Sequence, residues 1–143
     1  MFIKINTEKE MISFGTEFAK TLKGGDIVLL EGNLGAGKTI FTKGIAKYLG
    51  IKKAITSPTF TLMNIYKVLR PKSSVLCLTH IDTYRLDNEK DLVEIGVEDY
   101  LGKSDTVCLI EWPEKIKNLL RGKKVIKIII EHDDEGRIIT IND

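Results

Sequence analysis

The spacing of hydrophobic residues changes from segment to segment along this chain, and the changes mark its elements. Phe2-Ile3-Lys4-Ile5 alternates like a short strand. Thr7 and Glu10 have the spacing of a capping box. Met11, Phe14, Phe18 and Leu22 then fall on one face of a helix. Ile27-Val28-Leu29-Leu30 is a continuous apolar run led in by Gly24-Gly25-Asp26, as in a buried parallel strand. Phe41, Ile45, Ala46 and Leu49 recur with helical spacing up to Gly50, which suits a C-terminal cap. From Ile55 to Tyr66, Ser57-Pro58-Thr59 reads as a loop entering a strand marked by Phe60, Leu62, Asn64 and Tyr66. Arg70 to Ser74 is a turn, and Val75 to Asp82 is another strand. Asn88 to Leu101 carries Leu92, Ile95, Val97 and Leu101 in roughly helical order, weakened at Gly96. Thr106 to Ile110 is an apolar strand ending at Glu111-Trp112-Pro113, and Pro113 suits the first turn of a helix through Leu120. Val125 to Glu131 and Arg137 to Ile141 form a hairpin pattern over Asp133-Asp134-Glu135-Gly136.

Alternating strands and helices imply a three-layer α/β domain around a mostly parallel central sheet, closed by a C-terminal antiparallel hairpin. The 143 residues suffice for a single domain, residues 1–143, with a proper core. Net charge is +2, so no basic tract argues autonomous nucleic-acid binding. The densest basic stretch, Lys115, Lys117, Arg121, Lys123, Lys124 and Lys127, reads as a solvated helix end and strand edge. Cys77 and Cys108 lie inside apolar runs and read as buried strand residues in a reducing compartment. The absence of a Cys/His cluster argues against zinc. The N-terminus has no apolar signal region and no stretch approaches membrane-spanning length, so a cytoplasmic protein is expected.

Gly32-Asn33-Leu34-Gly35-Ala36-Gly37-Lys38-Thr39 carries the chemistry. It fits G-x-x-x-x-G-K-[ST], the phosphate-binding loop (P-loop) of nucleoside triphosphatases. A triphosphate presents several anionic oxygens, and a tight glycine-rich turn aims successive backbone N–H groups at them. The following helix adds its positive end. Lys38 is expected on the β- and γ-phosphates and the Thr39 hydroxyl on Mg²⁺. The predicted strand before the loop and helix after it supply the required context. Ligands of such sheets sit at the carboxyl ends of the strands. Asp82 ends one apolar strand, the Walker B arrangement for holding Mg²⁺. The alternative for Asp82 is a turn cap or a pair with Arg85. Glu111 ends another strand and would open onto the same edge, to ligate Mg²⁺ or orient water. Thr59 and Thr61 stand where switch segments supply a hydroxyl, although Ser57-Pro58-Thr59 also suits a rigid turn. His80, two residues before Asp82, points to the same side of its strand and reads as a hydrogen-bonded structural residue. Trp112 reads as core packing rather than as a stacking platform.

Four segments together resemble a known family. They are the P-loop, Ser57-Pro58-Thr59-Phe60-Thr61-Leu62, His80-Ile81-Asp82-Thr83-Tyr84-Arg85-Leu86 and Ile110-Glu111-Trp112-Pro113-Glu114. In order and spacing they are similar to the signature segments of the TsaE (YjeE) family, the bacterial ATPases of tRNA threonylcarbamoyladenosine synthesis. Glu94 to Tyr100 also resembles the family's segment between the Asp and Glu motifs. The resemblance implies a Mg²⁺-dependent ATPase that binds ATP and ADP. It implies work with two proteins, TsaB and TsaD, which modify the adenosine beside the anticodon, so that tRNA is met indirectly through the complex. It implies that Leu34, Gly35, Ala36, Gly37, Lys38 and Thr39 bind phosphates and that Thr39 and Glu111 attend Mg²⁺. It places Asp82 beside the nucleotide and points to Glu8 and Arg137 on the first helix and the terminal hairpin. Asn33 departs from the Asp common in the family, with little effect expected because the loop acts through its backbone.

Other classes share this loop. A small-molecule kinase would need an arginine-bearing lid, and Arg70, Arg85, Arg121 and Arg137 form no such segment. A GTPase would need a guanine-reading Asn-Lys-x-Asp, which the chain lacks, and Asp99-Tyr100-Leu101-Gly102 lies at the end of a helical pattern. A nucleotide-gated binding module would have the same site as a slow ATPase.

Overall fold

The computed structural model describes residues 2–58 and 61–142. The elements are β1 (Phe2–Ile5), α1 (Glu8–Ala19), β2 (Ile27–Glu31), α2 (Lys38–Leu49), β3 (Met63–Lys67), β4 (Cys77–Asp82), α3 (Glu89–Glu94), β5 (Thr106–Glu111), α4 (Lys117–Leu120), β6 (Ile126–Asp133) and β7 (Gly136–Asn142). Among the described residues seven strands form one sheet in the order β1-β7-β6-β2-β5-β4-β3. The central four, β6, β2, β5 and β4, are parallel. Antiparallel strands flank them, with β7 and β1 on one edge and β3 on the other. The expected three-layer α/β architecture is present, and the closing hairpin is β6–β7.

Alternation along the central strands divides the apolar residues between two cores. Val28, Leu30, Leu78, Val107 and Leu109 face α1 and α2. Ile27, Leu29, Ile81, Cys108 and Ile110 face the opposite layer, where Leu86, Leu92, Val97, Leu101 and Ile116 cover them. Each such side chain contributes about 1.5–3 kcal/mol by leaving water. On the first face Phe14 stacks on Phe18 and Phe41, and the Phe18 and Phe41 rings are tilted against each other, with ring centroids 5.5 to 6.3 Å apart. Helices α1 and α2 meet backbone to backbone. A Cβ added at Gly44 would lie 2.3 Å from the Ile12 carbonyl oxygen, and one added at Gly15 would lie 2.4 Å from that of Phe41. The crossing therefore tolerates only glycine and fixes α1 against the helix that follows the P-loop.

Several boundaries differ from the sequence-based expectation. The capping box forms with an offset: Thr7 Oγ1 accepts from Glu10 N, while Glu10 Oε2 accepts from Asn6 N. Helix α1 stops at Ala19, and Leu22 lies in the turn beyond it. β4 begins at Cys77 rather than Val75, because the Leu76 and Cys77 amides both bond to the Asp105 carbonyl before the parallel ladder starts. The helical pattern of 88–101 breaks at Ile95–Gly96, after which Val97–Asp99 forms a single 3₁₀ turn. Pro113 opens a 3₁₀ segment, Pro113–Ile116, which passes into the one-turn α4. Cys108 is buried as expected, but Cys77 is only half-buried. Burial, with a smaller effect from Cys77, pushes the Cys108 thiol up to about 12. No helix among the described residues is long and apolar enough to cross a membrane.

Candidate functional site

The P-loop leaves the end of β2 and enters α2. Gly37 takes the left-handed conformation at φ 110°, which a side chain would disfavour, and its carbonyl accepts from the Phe41 amide. The first N–H groups of α2 have no partner within the helix, so they form a ready anion-binding end. Lys38, the first residue of α2, is 6% exposed. Its Nζ donates to the Gly32 carbonyl at 2.7 Å, lies 3.6 Å from Glu111 Oε1, and sits 4.1 Å from the centroid of the Trp112 ring.

Parallel register brings the two acidic residues together. Asp82 ends β4, Glu111 ends β5, and the two are direct partners in the ladder. Asp82 Oδ1 accepts from the Tyr84 amide at 2.9 Å, and Oδ2 accepts from the Ser57 hydroxyl at 3.3 Å. Asp82 thus does cap a turn, the structural role weighed for it, while its carboxylate also borders the cavity. Glu111 Oε2 is 2.6 Å from His80 Nε2, and Glu111 is 4% exposed. Thr83 Oγ1 donates to the Glu111 carbonyl at 3.1 Å and to that of Trp112, which ties the turn after β4 to the end of β5.

A cavity of about 420 Å³ opens over these groups. Gly37, Lys38 and Thr39 line one side, and Asp82, Glu111 and Trp112 the other. A second cavity of about 240 Å³ lies across the loop, shared through Gly35, Gly37 and Ile40. Its far wall is Thr7, which caps α1, and Glu8 and Met11 of α1, together with Arg137 of β7. The Arg137 guanidinium donates through Nε to the Ala36 carbonyl at 3.0 Å and through a terminal nitrogen to that of Gly35 at 3.3 Å. The hairpin therefore holds the back of the P-loop.

The structure assembles Lys38, Thr39, Asp82 and Glu111 in one cavity and sets Glu8 and Arg137 in the adjoining one. Leu34 at the loop tip is 65% exposed. Thr61 does not join them; its hydroxyl bonds to Asn64 Oδ1 in the turn before β3. Thr59 lies outside the described residues. Trp112 corrects the expectation of core packing. It belongs to neither core, has a left-handed backbone at φ 58°, and walls the cavity with its ring 5.0 Å from that of Tyr84. Its place one residue after Glu111, the acid that ends β5, is the signal that points to the cavity. Ser57, Tyr84 and Arg85, which lie in the segments that carry the family resemblance, also line the cavity. In the basic stretch, Lys127 pairs with Glu31 at 3.2 Å and Arg121 bonds to Asn118, as a solvated edge would.

The donor set suits a hard cation shared with a phosphate. The Thr39 hydroxyl and the Asp82 and Glu111 carboxylates are all oxygen ligands. No group of three or more His, Cys, Asp and Glu among the described residues makes a closed metal cage. Mg²⁺ is typically held by one or two carboxylates plus substrate phosphates, so these residues fit it.

Comparison with known proteins decides the family. The family profile described as "Threonylcarbamoyl adenosine biosynthesis protein TsaE" matches residues 5–139. The chain belongs to the TsaE family. A relative from Rickettsia prowazekii, named tRNA threonylcarbamoyladenosine biosynthesis protein TsaE, is 44% identical over 139 residues, covering 96% of this chain and 92% of its own. The protein of the same name from Bacillus subtilis is 41% identical over 118 residues, covering 82% of this chain and 70% of its own. The crystal structure of B. subtilis YdiB superposes with a TM-score of 0.77 at 34% identity, covering 99% of this chain and 83% of that one. The similarity of fold to YdiB extends across the mixed sheet and its helices.

Proposed function

We propose that this TsaE-family protein binds Mg·ATP across its P-loop and hydrolyses it in support of tRNA threonylcarbamoyladenosine formation, with TsaB and TsaD as its partners. The observation that carries the reading is the convergence of Lys38, Thr39, Asp82 and Glu111 on one cavity at the carboxyl ends of β2, β4 and β5. Names of relatives at about 40% identity over most of the chain supply the pathway.

Phosphoryl transfer needs positioning and charge stabilisation more than covalent help. The triphosphate lies over the N-terminus of α2, with its oxygens on the loop amides. Lys38 moves from its present partners to the terminal phosphates and compensates their charge. Thr39 and Glu111 would hold Mg²⁺, which when bound would neutralise charge developing on the phosphate oxygens. Glu111 and Asp82 are also the acidic groups available to orient an attacking water. The nucleoside passes over Gly37 into the cavity walled by Glu8 and Arg137.

The test is phosphate release from Mg·ATP by the protein alone, then with TsaB, TsaD and tRNA. Slow release that rises with the partners supports the reading. No release with an assembled complex leaves a nucleotide-gated binding module. Transfer of γ-phosphate label to a small acceptor would instead make it a kinase.

A further inference from the structure

Glu111 is held by a residue the proposed chemistry does not use. His80 sits in the middle of β4 with no exposed surface, on the sheet face that carries Leu78. Its Nε2 is 2.6 Å from Glu111 Oε2. Its Nδ1 is buried and has no hydrogen-bond partner among the described residues. Buried polar atoms are nearly always paired, so the lopsided environment of this imidazole requires a reason.

Three proton arrangements are open, and the geometry separates them. An imidazolium would bury an N–H at Nδ1 with no acceptor among the described residues. A protonated Glu111 donating to Nε2 would leave the ring proton on Nδ1, again a donor that none of the described residues meets. A proton on Nε2, given to a Glu111 carboxylate, leaves only a lone pair at Nδ1. An unmet acceptor is better tolerated than an unmet N–H. The remaining Glu111 oxygen, Oε1, is then the one that faces Lys38 Nζ at 3.6 Å.

We propose that His80 is a positioning residue for Glu111. As the Nε2–H tautomer it grips Oε2, fixes the plane of the carboxylate, and leaves Oε1 turned toward the P-loop lysine and the cavity. Groups that orient a metal-binding side chain in this way are worth roughly 10–100-fold in affinity or activity. The inference rests on the proposed role of Glu111 in handling Mg²⁺ or water.

Two measurements test it. Long-range ¹H–¹⁵N correlation of the protein without nucleotide reports the tautomer of each histidine. The chain has two, and His132→Asn identifies the other. The expected pattern for His80 is Nε2–H; an Nδ1–H tautomer or an imidazolium overturns the proposal. This arm needs no ATPase activity, so it stands even if the wild type releases no phosphate and the proposed function fails. The second arm compares His80→Leu with His80→Gln, whose amide nitrogen reaches the place of Nε2. His80→Leu should lower kcat for phosphate release about 10–100-fold and raise the Mg²⁺ concentration for half-maximal rate, with KM for ATP changed less than about threefold. His80→Gln should recover most of that loss. Equal losses in the two variants, or losses that follow their melting temperatures, would make His80 merely structural and overturn the proposal. Should His80→Leu fail to fold, kcat for His80→Gln within about tenfold of wild type supports the donor role and a larger loss opposes it.

Discussion

The two sides of the P-loop are built on different principles. On the side proposed to take the phosphates, Lys38, Asp82 and Glu111 are each at least nine-tenths buried, and they come from the ends of neighbouring parallel strands or the helix entered from one. Their positions follow from strand register, which leaves little freedom. On the other side, the wall is assembled from the first turn of α1 and the start of β7. Arg137 reaches carbonyls more than a hundred residues away in sequence, and Glu8 is exposed. The first region concentrates charge where geometry is fixed. The second closes over the loop through a hairpin and a helix end that depend on tertiary packing. Loss of chemistry is therefore expected from changes in the first region, and loss of binding alone from changes in the second.

The largest effect should come from Lys38→Ala. The variant removes the cation that the phosphates would meet, and it leaves buried Glu111 beside Trp112 without its positive neighbour. Loss of a single charge-stabilising donor of this kind costs about 10²–10³ in rate. Phosphate release should fall at least that far, with nucleotide binding by calorimetry weakened in parallel. Normal hydrolysis by Lys38→Ala would mean that the cavity is not the site.

Glu111→Gln separates chemistry from binding more sharply. The amide keeps the shape of the side chain, and its oxygen can still accept from His80, but the charge is gone. Turnover is expected to drop by about 10²-fold or more while nucleotide affinity without Mg²⁺ stays within a few-fold. Single-turnover kinetics beside nucleotide titration with and without Mg²⁺ would show the split. An equal loss in both would place Glu111 in simple binding and erase the contrast between the two sides.

What the sequence made legible follows the same division. The phosphate side is written in short segments, because a strand end or a loop keeps its chemistry within a few residues. Gly32 to Thr39, Asp82 and Glu111 fall on one edge by sequence alone, since parallel strands present their carboxyl ends together. The hydrophobicity of Trp112 suggests core, whereas its left-handed backbone just past β5 sets the ring against Lys38. The partnership of His80 with Glu111 was hidden because it joins two strands whose adjacency is a fact of topology. The backbone contact of Gly15 with Gly44 was equally hidden: glycine in a helix reads as a weakness until the opposing helix is seen. Glu8 and Arg137 were reached through family resemblance, since nothing local links a first helix to a terminal hairpin.

Gly44→Ala tests whether the second side depends on that crossing. The new methyl would meet the Ile12 carbonyl oxygen at 2.3 Å, so α1 must shift away from α2. Overpacking of this sort costs about 1–3 kcal/mol. For a chain of this size the midpoint of thermal unfolding should fall by roughly 2–12 °C. The consequence for function should be asymmetric, because α1 walls the cavity of Glu8 and Arg137 and contributes nothing to that of Glu111. KM for ATP should rise with kcat little changed. A fall in kcat at constant KM would show that the α1 crossing supports the phosphate side as well.

Arg137→Ala should give the smallest effect and the most informative one. The guanidinium holds the Ala36 and Gly35 carbonyls from behind and walls the proposed nucleoside cavity. Removing it takes away two charge-assisted hydrogen bonds, of which the one to Gly35 is exposed, where water can replace the donor, and the one to buried Ala36 is half-buried. The loop should loosen rather than collapse. Nucleotide dissociation, followed by stopped-flow with a fluorescent analogue, is expected to accelerate about tenfold, equivalent to roughly 1.4 kcal/mol, with kcat within about threefold of wild type. Arg137→Lys should behave like the alanine variant, because an ammonium cannot span both carbonyls as the planar fork does. If instead Arg137→Ala lowered kcat as far as Glu111→Gln did, the back of the loop would govern chemistry, and the two sides would have to be treated as a single coupled site.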